Sequence, residues 1–567
     1  MIRKKQRLYN KAKKSKLKRD WNHYNKHKKE TIKAMRKARW QYINNIILGE
    51  LKENNTKPMW QFIKSQNKEN IGVASLQKED GNLTKNSKEK AEILNKQFQS
   101  VFTKDDNTSN PEMLGPSYPS IDELVIDING VEKLLSNLKV NKAAGPDELS
   151  GHLLKELAKE IAPILTAIFT QSLKTGTLPK DWLTANVAPI YKKGDKNKAE
   201  NYRPVSLTCI CCKIMEHILC RHMLNHMDQH NILTKLQHGF RNGYSCVTQL
   251  LVTIQDFMLS RDNNIQTDVA ILDFSKAFDT VPHDRLLLKL KHYGIKGDIQ
   301  EWIKDFLKNR KQRVVVDGKH SSFIKVESGV PQGTVLGPLL FLVYINDLPN
   351  NITQGSTVRL FADDCILYRE IRTMQDQLIL QNDLNKLKEW ADKWGMKFNP
   401  SKCEIMRICH NRTPLERFYT LSGQVLKQVN KTKYLGVYIS EDLSWTPHIE
   451  YTTAKANRAL GLLRRNLKHC DKKIKESAYM SMVRSILEYA CEIWDPYEQK
   501  NIKAIERVQR RAARFVKNDY RTYLQDEQRY NSVTKMINEL GWKNLAERRR
   551  DIRLTLFYKI INEDVKV

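Results

Sequence analysis

An α/β fold with basic helical ends is what this sequence predicts, and three stretches predict it. Residues 357–368 read as apolar strand, acidic turn and apolar strand, with Asp363 and Asp364 at the turn. Upstream, Val269-Ala270-Ile271-Leu272 has the length and branching of a buried strand, and that strand ends at Asp273. Downstream, Leu384, Leu387, Ala391 and Trp394 recur at helical spacing, which predicts a helix over residues 376–395 ending at Gly395.

Two adjacent carboxylates at a hairpin tip repel, and each raises the pKa of the other; a bound divalent cation removes that cost. Taken alone, Asp363-Asp364 is most simply a solvated turn. With the 269–272 strand paired beside the hairpin, Asp273 faces Asp363. Three carboxylates on neighbouring strands can hold two Mg²⁺ ions, with Mn²⁺ as a substitute, for an in-line phosphoryl transfer.

Between these sites stands Ser328-Gly329-Val330-Pro331-Gln332-Gly333, a tight backbone that can approach a flat ligand before the apolar run of residues 339–345. The order and wording of the three motifs resemble a reverse transcriptase of non-LTR retrotransposons, in the jockey and CR1 group. Asp273-Phe274-Ser275-Lys276-Ala277-Phe278-Asp279 resembles the first catalytic motif of that family, residues 328–333 its nucleotide-positioning motif, and Phe361-Ala362-Asp363-Asp364 its metal hairpin. The resemblance implies a right-hand polymerase fold of fingers, α+β palm and helical thumb, copying RNA into DNA.

The chain has 567 residues and a formal charge of +32, for which a polyanionic partner is the simplest explanation. An acidic membrane surface is the weaker reading of the same charge. No apolar run is long enough to span a membrane, and the N-terminus lacks a secretory apolar core, so the expected location is nucleus or cytoplasm rather than outside the cell. The ten cysteines then read as reduced thiols; Cys209, Cys211, Cys212 and Cys220 cluster without zinc-site spacing. His222, His226 and His230 could share one helix face, which needs no metal.

Residues 1–102 form a basic helical segment in this reading: Met1 to Trp40 hold seventeen basic and two acidic residues. Trp21, Tyr24, Trp40, Tyr42, Trp60 and Phe62 interrupt the charge, either to stack on unpaired bases of single-stranded RNA or to pack a helical hairpin. Residues 103–120, rich in Asn, Ser, Pro and Asp, read as a linker. Residues 121–260 are expected to form the fingers and the start of the palm, with helices over 131–140 and 153–174 and a strand at 186–191 running into a basic turn. Lys192, Lys193 and Arg203 would offset the charge of an incoming triphosphate. Gln237-His238-Gly239-Phe240-Arg241 resembles a family segment near the template, with Arg241 as the contact, although packing explains it equally well.

The palm is expected over residues 261–439. In the resemblance Phe278 lies against the sugar and excludes a 2′-hydroxyl, Gln332 steadies the nucleotide, and Gly329 and Gly333 lie along the primer or template. Lys402, in Asn399-Pro400-Ser401-Lys402, is the implied proton donor to pyrophosphate, and Tyr434-Leu435-Gly436 the implied primer grip. Residues 440–567 are expected to form a basic helical thumb and extension, with positive faces at 458–468 and 507–514.

The implied partners are an RNA template, a DNA primer or target, and deoxynucleotides; no membrane and no protein partner is expected. Because no endonuclease or ribonuclease H pattern is visible, the chain is expected to be the polymerase portion of a longer or decayed element. The competing readings are a group II intron maturase-like protein and a catalytically idle RNA-binding remnant.

Overall fold

The computed structural model describes residues 1–53, 55–66, 72–103, 111–113, 115–409, 414–520 and 532–567. Most of the expected linker core, residues 104–110 and 114, lies outside the described residues. The chain forms two compact units, one of Asn70–Ser444 with Ile560–Val567, the other of Met1–Glu69 with Trp445–Lys559. These units cut the chain elsewhere than at the expected boundaries: the basic N-terminal helices belong to the same unit as the C-terminal helices, and the rest of the 1–102 segment belongs to the larger unit.

The strands of the larger unit are β1 Thr184–Tyr191, β2 Tyr202–Leu207, β3 Gln266–Leu272, β4 Lys311–Val316, β5 Lys319–His320, β6 Ile324–Lys325, β7 Ser356–Phe361, β8 Asp364–Ile371, β9 Glu404–Ile408, β10 Thr420–Leu421, β11 Gln424–Val425, β12 Lys427–Gln428, β13 Lys431–Tyr434 and β14 Val437–Ser440. One five-stranded sheet has the order β12-β9-β3-β8-β7. Its central strand, β3, is antiparallel to both β8 and β9, and β7 and β8 form the predicted hairpin. Val269, Ala270 and Leu272 are buried, as a strand covered on both faces requires, which is why β3 reads as an apolar run rather than an alternation. Asp268 is buried with them because its carboxylate accepts bonds from the Tyr419 hydroxyl (2.6 Å) and the Gln266 amide (2.8 Å).

The second sheet runs β2-β1-β4-β5, with β6 on β4. It joins β1 and β2 antiparallel and β1 and β4 parallel, so strands from the 261–439 segment complete a sheet begun within 121–260. The expected helix over 131–140 is Ile128–Ser136, and the one over 153–174 is two helices, Gly151–Glu156 and Ala158–Thr175, meeting at Leu157. The helix Met374–Lys393 starts at a capping box of Thr373 and Asp376, and Gly395 follows it with φ 70°. After the glycine-rich loop, the helix Leu336–Ile345 is buried along nearly its whole length. Its first N–H groups are capped from a distance: the Glu216 carboxylate accepts from Val335 N (2.6 Å) and Leu336 N (3.0 Å).

In the smaller unit, helices Ile2–Ser15 and Lys18–Lys52 form a hairpin that turns at Lys16, with φ 55°. Tyr9, Trp21 and Tyr24 pack on one another with ring centroids 5.4–6.1 Å apart. Trp40 packs on Phe62 and His469. These rings thus pack on one another, with Trp21 and Tyr42 still exposed. The helix Gln499–Lys517 buries Ile505, Val508, Ala512 and Phe515 and turns Arg507, Arg510 and Arg511 outward, as the pattern predicted. Among the described residues no helix is long and apolar enough to cross a membrane.

Candidate active site

Asp273 lies one residue beyond the end of β3. The last pair of the β3–β8 ladder is Leu272 with Cys365, so continuing the register by one residue sets Asp273 level with Asp364 rather than with Asp363 as expected. The hairpin turn is only Ala362 and Asp363, because Phe361 pairs with Asp364. A two-residue turn needs positive φ, and Ala362 supplies it at 55°. The neighbouring segment of residues 399–403 is bound to the same place: Asn399 N donates to Asp273 O (2.7 Å), and Lys402 Nζ donates to Asp273 Oδ2 (3.1 Å).

The three carboxylates are close enough to repel. Asp363 is held above the usual carboxylate range by burial and then by the Asp273 charge. Asp364 is pushed up to about 6, first by the protein that thins its hydration and then by Asp363 and Asp273, although its side chain still opens to solvent. Cations face them. The Lys192 ammonium is held below its ordinary value by the surrounding protein and by the Arg203 and Lys402 charges, and Lys192 and Arg203 in turn lower both Asp363 and Asp364. Arg203 reaches this place because β2 pairs it with Ile190, two residues before Lys192. Lys193 is the exposed next residue.

Hard oxygen donors at this density suit a divalent cation, and the repulsion among them is what such an ion would relieve. Among the described residues, however, no three His, Cys, Asp or Glu side chains stand as a finished metal cluster. The expected triad is assembled by topology but not closed into a cage, and the cation nearest to Asp273 is Lys402.

Phe278 stacks on Phe341, with ring centroids 4.3 Å apart, and meets Phe240 edge-on. It is only half-buried, so these core contacts leave part of the ring open. Gln332 Nε2 donates to Asp279 Oδ1 (3.1 Å), and Gln332 O accepts from Ser206 N (2.7 Å), which ties the loop to the short helix Ala277–Thr280 and to β2. Gly329 and Gly333, expected along the primer or template, let this loop press closely on neighbouring backbone. A Cβ on Gly329 would lie 2.7 Å from Phe278 O and one on Gly333 2.7 Å from Ser206 O.

Tyr434, Leu435 and Gly436 form the end and turn of the β13–β14 hairpin. The Tyr434 hydroxyl accepts from Gln249 Nε2 (3.0 Å). Burial, and then the Asp364 charge, raise its pKa, which puts this hairpin beside the carboxylates. Arg241 is turned inward: its guanidinium donates to Thr234 O (2.6 Å) and lies over the Tyr244 ring. His222 and His226 bond the carbonyls of Asp122 (2.8 Å) and Tyr293 (2.9 Å). Two site residues escaped the sequence reading. Asp279 was quoted only as part of a motif, and Glu216 is a lone acid in an apolar stretch, the one available sign that it has a buried partner.

Residues 190–439 match the family model described as reverse transcriptase (RNA-dependent DNA polymerase). The chain is similar to a probable RNA-directed DNA polymerase from transposon BS of Drosophila melanogaster, 27% identical over 81% of this chain and 52% of the relative. It is also similar to the RNA-directed DNA polymerase from mobile element jockey of the same organism, 26% identical over 86% of this chain and 55% of the relative. A third similarity is to a probable RNA-directed DNA polymerase from transposon X-element, also of Drosophila melanogaster, 28% identical over 66% of this chain and 42% of the relative. The chain thus spans about half the length of the curated relatives it matches. Residues 190–439, which hold the carboxylates of β3 and the β7–β8 turn, thus match a reverse transcriptase family model and have a mixed α/β fold consistent with a palm, in a chain similar to the polymerases of non-LTR mobile elements.

Proposed function

We propose that this chain is an RNA-directed DNA polymerase that adds deoxynucleotides to a primer 3′-hydroxyl on an RNA template. The observation that carries the reading is the meeting of Asp273, Asp363 and Asp364 with Lys192, Arg203 and Lys402 in one place, beside the Phe278 ring and the Gln332 loop. Acids that hold metal and bases that hold phosphate are both required for phosphoryl transfer, and neither set has an evident use without the other.

In this reading the sheet of β3, β7, β8, β9 and β12 is the palm, the sheet of β1 and β2 belongs to the fingers, and the helices of residues 446–517 form the thumb. Asp273, Asp363 and Asp364 are the residues that would hold two Mg²⁺ ions, and the chemistry such ions would supply is stabilisation of an ionised 3′-hydroxyl and of the charge on leaving pyrophosphate. Lys192, Lys193 and Arg203 bind the triphosphate. Phe278 lies under the sugar, where a 2′-hydroxyl would collide with it, and Gln332 steadies the nucleotide through its amide. Tyr434, Leu435 and Gly436 hold the primer end, and Lys402 delivers a proton to pyrophosphate.

The test is primer extension on an RNA template with purified protein, deoxynucleotides and Mg²⁺, beside Asp363→Ala. Extension is expected in the parent and loss by at least about a thousandfold in the variant, with RNA affinity retained. Failure of the parent to extend, with tight and salt-sensitive RNA binding, would replace this reading with an idle RNA-binding remnant.

A further inference from the structure

The segment Gln237-His238-Gly239 lies far from Asp363 in sequence yet is applied directly to the hairpin that carries it. Leu360 N donates to Leu236 O (2.9 Å) and His238 N to Leu360 O (3.0 Å), so residues 236–238 run beside the end of β7 like a short extra strand. Gly239 makes the approach possible: a Cβ built on it would lie 2.2 Å from Ala362 N and 2.9 Å from the carbonyl carbon of Phe361, so any side chain there would drive the two segments apart.

That approach delivers the Gln237 side chain to the turn. Its Oε1 accepts from Ala362 N (2.8 Å) and from Gly239 N (2.8 Å), while Nε2 donates to Ala362 O (3.2 Å). One buried amide therefore satisfies both backbone groups of Ala362. Ala362 is also the residue held at φ 55°, a region an alanine rarely occupies and one that needs surrounding contacts to persist.

We infer that Gln237 is a positioning residue for the catalytic turn, its amide clamping Ala362 in the left-handed conformation that sets Asp363 and Asp364 side by side. Gly239 is the second half of the device, since it sets how closely the clamp can approach. The inference rests on the polymerase reading for its consequence, because the carboxylates so placed are the ones assigned to metal. The clamp itself stands on backbone geometry.

The experiment measures amide hydrogen exchange in the full chain at single-residue level. Gln237→Met, which keeps the side chain's length but removes every hydrogen bond, should speed exchange at Ala362 by about tenfold or more, the loss of one hydrogen bond on a buried group. Amides of the helix Leu336–Ile345 should stay at parent rates. Gln237→Asn keeps an uncharged amide but is one methylene shorter and draws it away from Ala362, so it serves as the milder probe if the methionine variant does not fold; a smaller change with the same location is expected. Single-nucleotide extension by either variant should show a lower kcat with unchanged affinity for the primer–template.

Unchanged exchange at Ala362, or an equal rise at every amide, would overturn the clamp. A parent chain that fails to extend a primer would overturn the polymerase reading and leave the exchange result to decide the clamp by itself.

Discussion

The stack of Phe278 on Phe341 fixes the plane of a ring that is only half-buried, the geometry on which its proposed role against the sugar rests. Phe278→Ala should raise the incorporation of ribonucleotides relative to deoxynucleotides by at least about tenfold, measured as a ratio of kcat/KM values, while costing about 1 kcal/mol of aromatic pairing. Unchanged sugar discrimination would return the ring to a purely structural role. Asp279 offers a different handle, since burial pushes its carboxyl up to about 6 against the partial relief given by Lys276 and Gln332. A folded-state pKa raised above the unfolded one means that the folded chain binds the proton more tightly, so stability falls as pH rises from about 4 to about 6 and stays lowered above that. Asp279→Asn carries no charge and should escape this fall. Relative to the parent it should gain about 1–2 kcal/mol of unfolding free energy between about pH 4.5 and about pH 7.5, read by chemical denaturation at the two values.

Among the elements, strands with strong patterning were legible and contacts between distant loops were not. The apolar run at residues 269–272 and the strand-turn-strand at 357–368 named β3, β7 and β8 from local chemistry alone, because a buried central strand has few other ways to read. The register of Asp273 was misjudged by one position, since a sequence does not show where a ladder stops. For Arg241 the sequence leaves template contact and packing open, and the structure shows packing contacts, with Thr234 O and the Tyr244 ring holding the guanidinium. At Gly329 and Gly333 the chain's own backbone makes the close approach that a glycine permits, a contact between segments distant in sequence. The β13–β14 hairpin gives an element-scale prediction. Its turn residues Leu435 and Gly436 have φ of 43° and 90°, so Gly436→Ala should lower stability by about 1 kcal/mol and slow extension more than it weakens nucleotide binding. Stability unchanged in thermal unfolding would show that the turn relaxes without cost.

For the molecule as a whole, charge was the most legible property and domain organisation the least. The surplus of +32 is read directly from composition, whereas the partnership of the first helices with those after Trp445 depends on contacts between the two ends of the chain. A fall in RNA affinity by at least about a hundredfold between about 50 mM and about 200 mM salt is expected if several phosphates are neutralised, and a chain with Lys4, Lys5, Arg7 and Lys11 replaced by Gln should show a shallower slope in a filter-binding titration. The sheet order β12-β9-β3-β8-β7 has a further consequence, for synthesis on the ribosome. β3 leaves the exit tunnel with both edges unsatisfied, and its partners β8 and β9 begin only at Asp364 and Glu404. At about 5–20 residues per second those partners trail by several seconds to about half a minute. During that interval the central strand of this sheet is open to pairing with a neighbouring copy on the same message, so slow codons between residues 273 and 364 would raise aggregation more than the same codons placed after residue 408.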